Sequence, residues 1–326
     1  LREAKKIGVF TSGGDAPGMN AALRAVVRTC VYHDIECVGI FQGYEGMIDG
    51  DFKKLHARSV AKILGRGGTI LKSARSERFM TIEGRQEAHR QLQGHQVDAV
   101  IAIGGNGTFA GAHALHNEFG FPVIGIPGTI DNDLYGTDNT IGFDTALNTV
   151  VEAVDKIRDT ANSHNRLFFV EVMGRDAGFL ALRSGLATGA IAILLPEEEL
   201  SIDDLVQILD RGGESKKTSS IVIVAEGDTN GGAVEVARKV NARFSQYETR
   251  VTVLGHIQRG GAPSCWDRVL ASRMGVAAVE GVLKGETDVM VGIVNDKQMY
   301  VPLSDAINKK VIPNLDELRI SKILSI

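Results

Sequence analysis

The feature that most constrains this chain is a repeated join. A short apolar run meets a glycine-rich or acidic turn, and a segment of helical periodicity follows. Residues 97–103 show it most clearly, running into Gly104-Gly105-Asn106-Gly107-Thr108, with apolar positions at Ala110, Ala112 and Leu115 beyond. A nearly continuous apolar run of strand length marks a strand buried on both faces, as parallel sheets require. Glycines clustered in the following turn let backbone amides approach a ligand closely. The same join recurs at residues 7–10, 123–126, 167–172 and 221–225, with further strands expected at 38–41, 191–195, 250–254 and 289–294. Helices are expected from Ala21 through Cys30 and over 59–64, 84–92, 145–161, 201–209, 233–244 and 267–283. Alternation of this kind predicts an α/β protein with two parallel-sheet domains. Its turns then share the carboxyl edges of the sheets, where ligands of open parallel sheets bind.

The 326 residues give room for two domains. A formal charge of −4 supplies no basic field, so neither nucleic acid nor a membrane surface is expected as a partner. An anionic substrate must be met by local arginines and backbone amides. Cys30, Cys37 and Cys265 lack metal-ligand spacing, which favours a reducing, cytoplasmic setting. No apolar run approaches the length of a membrane span.

Four turns carry candidate chemistry. Residues 11–18, Thr-Ser-Gly-Gly-Asp-Ala-Pro-Gly, join a strand to a helix whose free N–H groups would form an anion nest; the sequence is neither GxGxxG nor a P-loop. Residues 69–78 hold Lys72, Arg75 and Arg78, a pattern usually solvated. The turn 104–108 is the glycine-rich one. Residues 127–133, Pro-Gly-Thr-Ile-Asp-Asn-Asp, place two carboxylates two residues apart, on the same side if the backbone stays extended. Such a pair divides its work between a hard cation and a proton, whereas a plain polar turn uses the same residue types.

Taken together, these turns, Gly67-Gly68-Thr69 with Ser73-Ala74-Arg75, residues 171–175 (Glu-Val-Met-Gly-Arg) and 254–261 (Leu-Gly-His-Ile-Gln-Arg-Gly-Gly) stand in a characteristic order and spacing. In these the chain resembles the bacterial-type ATP-dependent 6-phosphofructokinases from about Lys5 to Ala306. The resemblance implies a glycolytic transferase that phosphorylates fructose 6-phosphate at its 1-hydroxyl, giving fructose 1,6-bisphosphate and ADP. It implies an α/β fold of two Rossmann-like parallel-sheet domains with the active site in the cleft between them. Residues 1–142 plus about 255–305 would form the larger, ATP-binding domain. Residues 143–254 plus 306–326 would form the smaller, fructose-6-phosphate-binding one. An allosteric homotetramer with active sites shared between subunits is also implied.

By resemblance, Asp131 is the general base and Asp133 the Mg²⁺ ligand, while Thr129 and Ile130 help place the sugar. Gly14, Arg75, Ser76, Gly105, Asn106, Gly107 and Thr108 match contacts to ATP, the co-substrate. Arg75 and Arg175 match arginines beside the transferred phosphoryl group, where fixed positive charge stabilises spread negative charge. Arg166, Arg250, His256 and Arg259 match the pocket for the sugar's 6-phosphate, the first two serving a neighbouring subunit. Met173, Gly174, Glu226, Ile257 and Gln258 complete the substrate contacts. Pyrophosphate-dependent relatives carry Asp and Lys where Gly107 and Gly128 stand, so glycine at both favours ATP.

Two departures from the pattern stand out. Asn106 replaces the usual Asp of a second Mg²⁺ contact, keeping an oxygen but losing the charge. Weaker metal retention is expected, and the substitution is the one feature favouring a catalytically weakened regulatory or assembly subunit. At the effector site Arg24, Arg28, Arg158 and Lys217 match, but Ile191, Ser215 and Ala57 replace a glutamate, a lysine and an arginine, so altered ADP activation is expected. Another kinase with a related glycine-rich loop, such as an NAD or lipid kinase, would lack the sugar-phosphate loops at 173–175 and 256–259.

Overall fold

A computed structural model describes residues 4–161, 166–214, 219–244 and 248–325. The chain forms two compact units: Leu1–Thr129 with Leu134–Thr145 and Arg259–Lys310, and Ile130–Asp133 with Ala146–Gln258 and Val311–Ile326. In chain order the elements are β1 (Lys6–Thr11), α1 (Met19–Tyr32), β2 (Glu36–Ile40), α2 (Gly43–Asp49), β3 (Phe52–Leu55) and α3 (Ile82–Gly94). Next come β4 (Ala99–Gly104), α4 (Asn106–Phe119), β5 (Val123–Pro127), α5 (Phe143–Ala161), β6 (Arg166–Val172) and α6 (Phe179–Ala187). There follow β7 (Ala192–Leu194), α7 (Ile202–Glu214), β8 (Ser219–Ala225), α8 (Ala233–Asn241) and β9 (Glu248–Val253). Last are α9 (Cys265–Lys284), β10 (Val289–Val294), β11 (Lys297–Pro302), α10 (Leu303–Asn308) and α11 (Leu315–Leu324).

The first unit is built on a sheet of order β11-β10-β5-β4-β1-β2-β3, parallel in its middle and antiparallel at its outer pairs, β10/β11 and β2/β3. Every residue of β4 is buried, as its apolar run requires. The register sets Thr11 beside Ile103 and Gly104 beside Pro127, so the turns after β1, β4 and β5 emerge at one edge. Phe10, Val100, Phe109, Leu115 and Val123 pack in the core on one face of this sheet.

The second unit holds a fully parallel sheet, β7-β8-β6-β9. Val172 lies beside Ala225 and Glu171 beside Val253, which gathers the turns after β6, β8 and β9 at its carboxyl edge. Leu167, Phe169, Leu194, Val222 and Val224 form its core with apolar residues of α7 and α8. Ser201 caps α7, its hydroxyl accepting from the Asp204 N–H at 3.1 Å.

Several local expectations change. Residues 59–64 form successive turns, not a helix: Ser59 N–H reaches His56 O and Ala61 N–H reaches Arg58 O, and Lys62 is left-handed at φ 62°. The antiparallel strands β3 and β11 escaped the sequence pattern because both are half exposed; β3 reads Phe-Lys-Lys-Leu with its lysines outward. Helix α7 runs to Glu214, past the end expected at 209, and takes in Gly212 and Gly213. The backbone through Asp131-Asn132-Asp133 is not extended, because Asn132 is left-handed at φ 55°. The alternation that would aim both carboxylates the same way therefore does not apply there.

Candidate active site

In the first unit, the turns after β1 and β4 form a cradle of backbone in which Gly104 is fixed by contact. A Cβ on Gly104 would lie 2.6 Å from the Ser12 carbonyl oxygen and 2.3 Å from Thr108 Oγ1. Only glycine lets these two turns close on each other. Gly105 is the residue before α4 and carries no side-chain cap, and the first turn of a helix is a ready-made anion site. Thr108 Oγ1 is buried and, among the described residues, has no hydrogen-bond partner. A buried hydroxyl without a partner is rare, and here it sits on the turn expected to meet phosphate. At Gly107 an added Cβ would meet nothing within 4 Å, so that position opens onto free space. At Gly128 it would meet Ile103 and Met19 instead, at 3.1 and 3.5 Å.

Residues without an assigned role in the sequence analysis hold this cradle. Tyr44 donates its buried hydroxyl to the Thr108 carbonyl, and its ring stacks on Phe79 with centroids 3.9 Å apart. Burial pushes the Tyr44 phenol strongly upward, so it remains a donor. Asn20 clamps the turn at 66–70: its amide donates to Arg66 O and Gly67 O, and its oxygen accepts from the Ile70 N–H at 2.9 Å. Thr11 Oγ1 lies 2.8 Å from Thr69 Oγ1. Ser76 donates to Glu45, which also takes Arg78 at 2.6 Å. Arg75 is exposed and has no hydrogen-bond or ion-pair partner among the described residues. The Arg259 guanidinium lies against the turn after β1, where a Cβ on Gly14 would stand 2.5 Å from it. Arg259, expected from sequence at the sugar's 6-phosphate, thus contacts the turn after β1. Thr129 is buried, and its carbonyl accepts from Thr140 Oγ1 at 2.5 Å.

In the second unit, Arg175 Nε stands 3.5 Å from Asp131 Oδ2. Asp131 is 3% exposed, so a carboxylate with little access to water faces a guanidinium that is half in solvent. Arg175 is left-handed at φ 52° and follows Gly174 at φ 140°. Glu226, at the end of β8, stabilises that turn: its Oε1 accepts from the Gly174 N–H at 3.1 Å and the Arg175 N–H at 2.7 Å. Gly227 is pressed on the same turn, a Cβ there falling 2.0 Å from Arg175 O. Gln258 is fully buried, accepting from the Met173 N–H and donating to Gly255 O, so its side chain braces the turn. Ile130 is also fully buried and offers only its backbone, whereas His256 and Ile257 are exposed. Arg166 and Arg250 both contact Glu248.

Of the residues expected at an effector site, Arg24 and Arg28 lie one helical turn apart on α1, and Arg158 donates to Thr188 O. Ile191 is buried in the core of the second unit, where it packs as a hydrophobe. Ala57 lies partly buried in the loop after β3. Lys217 and Ser215 fall outside the described residues.

Among the described residues, no group of three or more His, Cys, Asp or Glu could cage a metal ion, and no helix is long and apolar enough to cross a membrane. A magnesium site of one carboxylate completed by substrate phosphates and water is compatible with such a donor set.

Residues 6–282 match the family model described as "PFK: Phosphofructokinase". The chain is 52% identical to the ATP-dependent 6-phosphofructokinase 2 of Bacteroides thetaiotaomicron, covering 99% of each. It is 54% identical to the ATP-dependent 6-phosphofructokinase 1 of Thermus thermophilus, covering 99% of this chain and 100% of that protein. Among solved structures, the phosphofructokinase of Saccharomyces cerevisiae superposes with a TM-score of 0.88 at 38% identity; the match covers 93% of this chain and 45% of the yeast one. Matched along nearly its whole length in sequence and in fold, the chain is a member of the phosphofructokinase family.

Proposed function

We propose that this protein transfers the terminal phosphoryl group of ATP to the 1-hydroxyl of fructose 6-phosphate, as a glycolytic enzyme of the cytoplasm. The observation that carries this reading is the 52–54% identity, over essentially full length, to ATP-dependent 6-phosphofructokinases. Phosphoryl transfer asks a protein for positioning, for charge stabilisation and for a proton acceptor. The turns after β1 and β4 supply the positioning: their amides, with Gly14, Gly105, Gly107 and the Thr108 hydroxyl, bind the nucleotide phosphates. Arg75 stabilises the charge that spreads over the transferred group. The open space at Gly107 suits the larger nucleotide donor over pyrophosphate.

Asp131 accepts the proton of the 1-hydroxyl. Arg175, 3.5 Å away, faces that carboxylate and stabilises the incoming negative charge. Thr129 and the backbone of Ile130 place the sugar, with Met173, Gly174, Glu226, His256 and Ile257. Arg166 and Arg250 take the 6-phosphate. Asp133 provides the charged oxygen for Mg²⁺, and Asn106 a neutral one on the phosphate turn. When bound, Mg²⁺ neutralises charge on the phosphate oxygens. We assign ATP to the first unit and the sugar phosphate to the second, and assembly to a homotetramer. Arg24, Arg28, Arg158 and Lys217 are assigned to an effector anion, with altered metal dependence because Ile191 cannot ligate.

A second reading rests on Asn106: a weakened subunit that binds both substrates for regulation or assembly. A coupled assay for fructose 1,6-bisphosphate, with ATP and pyrophosphate compared as donors, decides. Turnover with ATP supports the first reading, turnover only with pyrophosphate overturns the donor assignment, and binding without turnover favours the second.

A further inference from the structure

The parallel register of β6 and β9 places Arg166 directly beside Glu248 and Phe168 beside Arg250. The side chains follow that register. Arg166 Nε donates to Glu248 Oε2 at 2.9 Å, and Arg250 Nη2 donates to Glu248 Oε1. Two guanidinium groups thus converge on one carboxylate, each using a different oxygen. They are the pair assigned above to the sugar's 6-phosphate.

We propose that Glu248 is a counter-ion that pairs with Arg166 and Arg250 and competes with the substrate phosphate for them. This inference rests on the reading that these two arginines bind the sugar phosphate. Two arginines and one carboxylate carry a net charge of +1, too little to neutralise a phosphate dianion. With the carboxylate kept in place, the complete cluster would be net negative. A forked guanidinium matches phosphate as well as carboxylate, so the dianion displaces Glu248. Within its own subunit the side chain has room to turn away: it is 49% exposed and Arg250 47%, whereas Arg166 is 21% exposed and stays anchored. Salt bridges this exposed contribute little stability, so losing them on ligand entry is cheap and their organising effect is small. The repulsion they leave on an incoming dianion is the larger effect. Glu248 therefore lowers affinity for the sugar phosphate in the free protein and makes binding depend on its displacement.

The test is Glu248→Gln, which keeps the shape and removes the charge. Half-saturation by fructose 6-phosphate is measured in the coupled assay, and binding of fructose 6-phosphate without ATP by calorimetry. The half-saturating concentration falls about two- to thirty-fold, the span two exposed ion pairs supply, with kcat within about twofold. Calorimetry shows the same tightening, and Glu248→Ala shifts in the same direction. Unchanged or weaker binding in both variants overturns the proposal, since a carboxylate that only braces the arginines would lose affinity when removed. Tightened binding in a protein without turnover retains the counter-ion role while refuting the kinase reading. A wild-type protein that binds no fructose 6-phosphate refutes both.

Discussion

Removing the Glu226 side chain tests whether the carboxylate acts by shaping the Arg175 turn. In Glu226→Ala two N–H groups lose a charged acceptor, at 3.1 and 2.7 Å. Hydrogen bonds to a charged group contribute roughly 1.5–3 kcal/mol each, and water recovers part of that at this partly exposed turn. A net loss of about 1–3 kcal/mol is therefore expected locally. It falls on two residues held at positive φ, Arg175 among them, a conformation that non-glycine residues leave readily when support is withdrawn. If the loss acts through Arg175, kcat falls about 10- to 100-fold at about 1.4 kcal/mol per decade. Glu226→Gln, whose amide oxygen can accept both bonds, recovers most of it. The decisive assay is a double-mutant cycle with Arg175→Ala, read by kcat and KM for fructose 6-phosphate. In the Arg175→Ala background the added Glu226→Ala should cost less than about a third of its wild-type effect, because its target is gone. Full additivity in kcat, or an effect confined to KM, would refute the positioning argument and leave Glu226 as a sugar contact alone.

Three further outcomes follow from the geometry. Gly104→Ala forces a Cβ within 2.6 Å of a backbone oxygen, so denaturant unfolding should show a loss of about 1–3 kcal/mol together with a higher KM for ATP; an unshifted midpoint would contradict the close packing of the two turns. His89 stacks on Phe119 with its Nδ1 buried, and burial lowers its pKa below the ordinary 6.5. The unfolded chain then takes up the proton first. The contribution to stability is full above 6.5 and is lost as pH falls from there towards the lower folded value. Melting temperature should therefore fall less steeply on acidification in His89→Phe than in the wild type, and parallel curves would exclude His89 as a source. Asn106→Asp should restore charge on the phosphate turn and raise the rate at low Mg²⁺ several-fold, with convergence at saturating metal; no gain at any concentration would show that Asn106 does not weaken metal binding.

The parts of this fold legible in sequence were those that a local pattern decides. The run ending in Gly104 must be a buried strand because nothing in it can face water, and the glycines that follow mark a turn. The helix expected from residue 201 was likewise legible, and Ser201 caps α7 in the structure. Strands β3 and β11 were not legible, because an edge strand half in water has no unbroken apolar run and its lysines read as loop. Lys62 ended a helix-like segment by a left-handed turn that its side chain does not advertise.

For the site the division is similar. The order and chemistry of the turns are written in the sequence, because each residue type is suited to phosphate, sugar or proton by itself. Their geometry belongs to the tertiary structure. Asn132 turns the backbone between Asp131 and Asp133, so the direction of each carboxylate depends on what packs around the bend. Only the folded chain shows that Arg259 lies on Gly14, that Gln258 is buried under Met173, and that strand register sets Glu248 against two arginines. Partners distant in sequence are chosen by packing, and packing is a property of the whole fold that no short stretch of sequence carries.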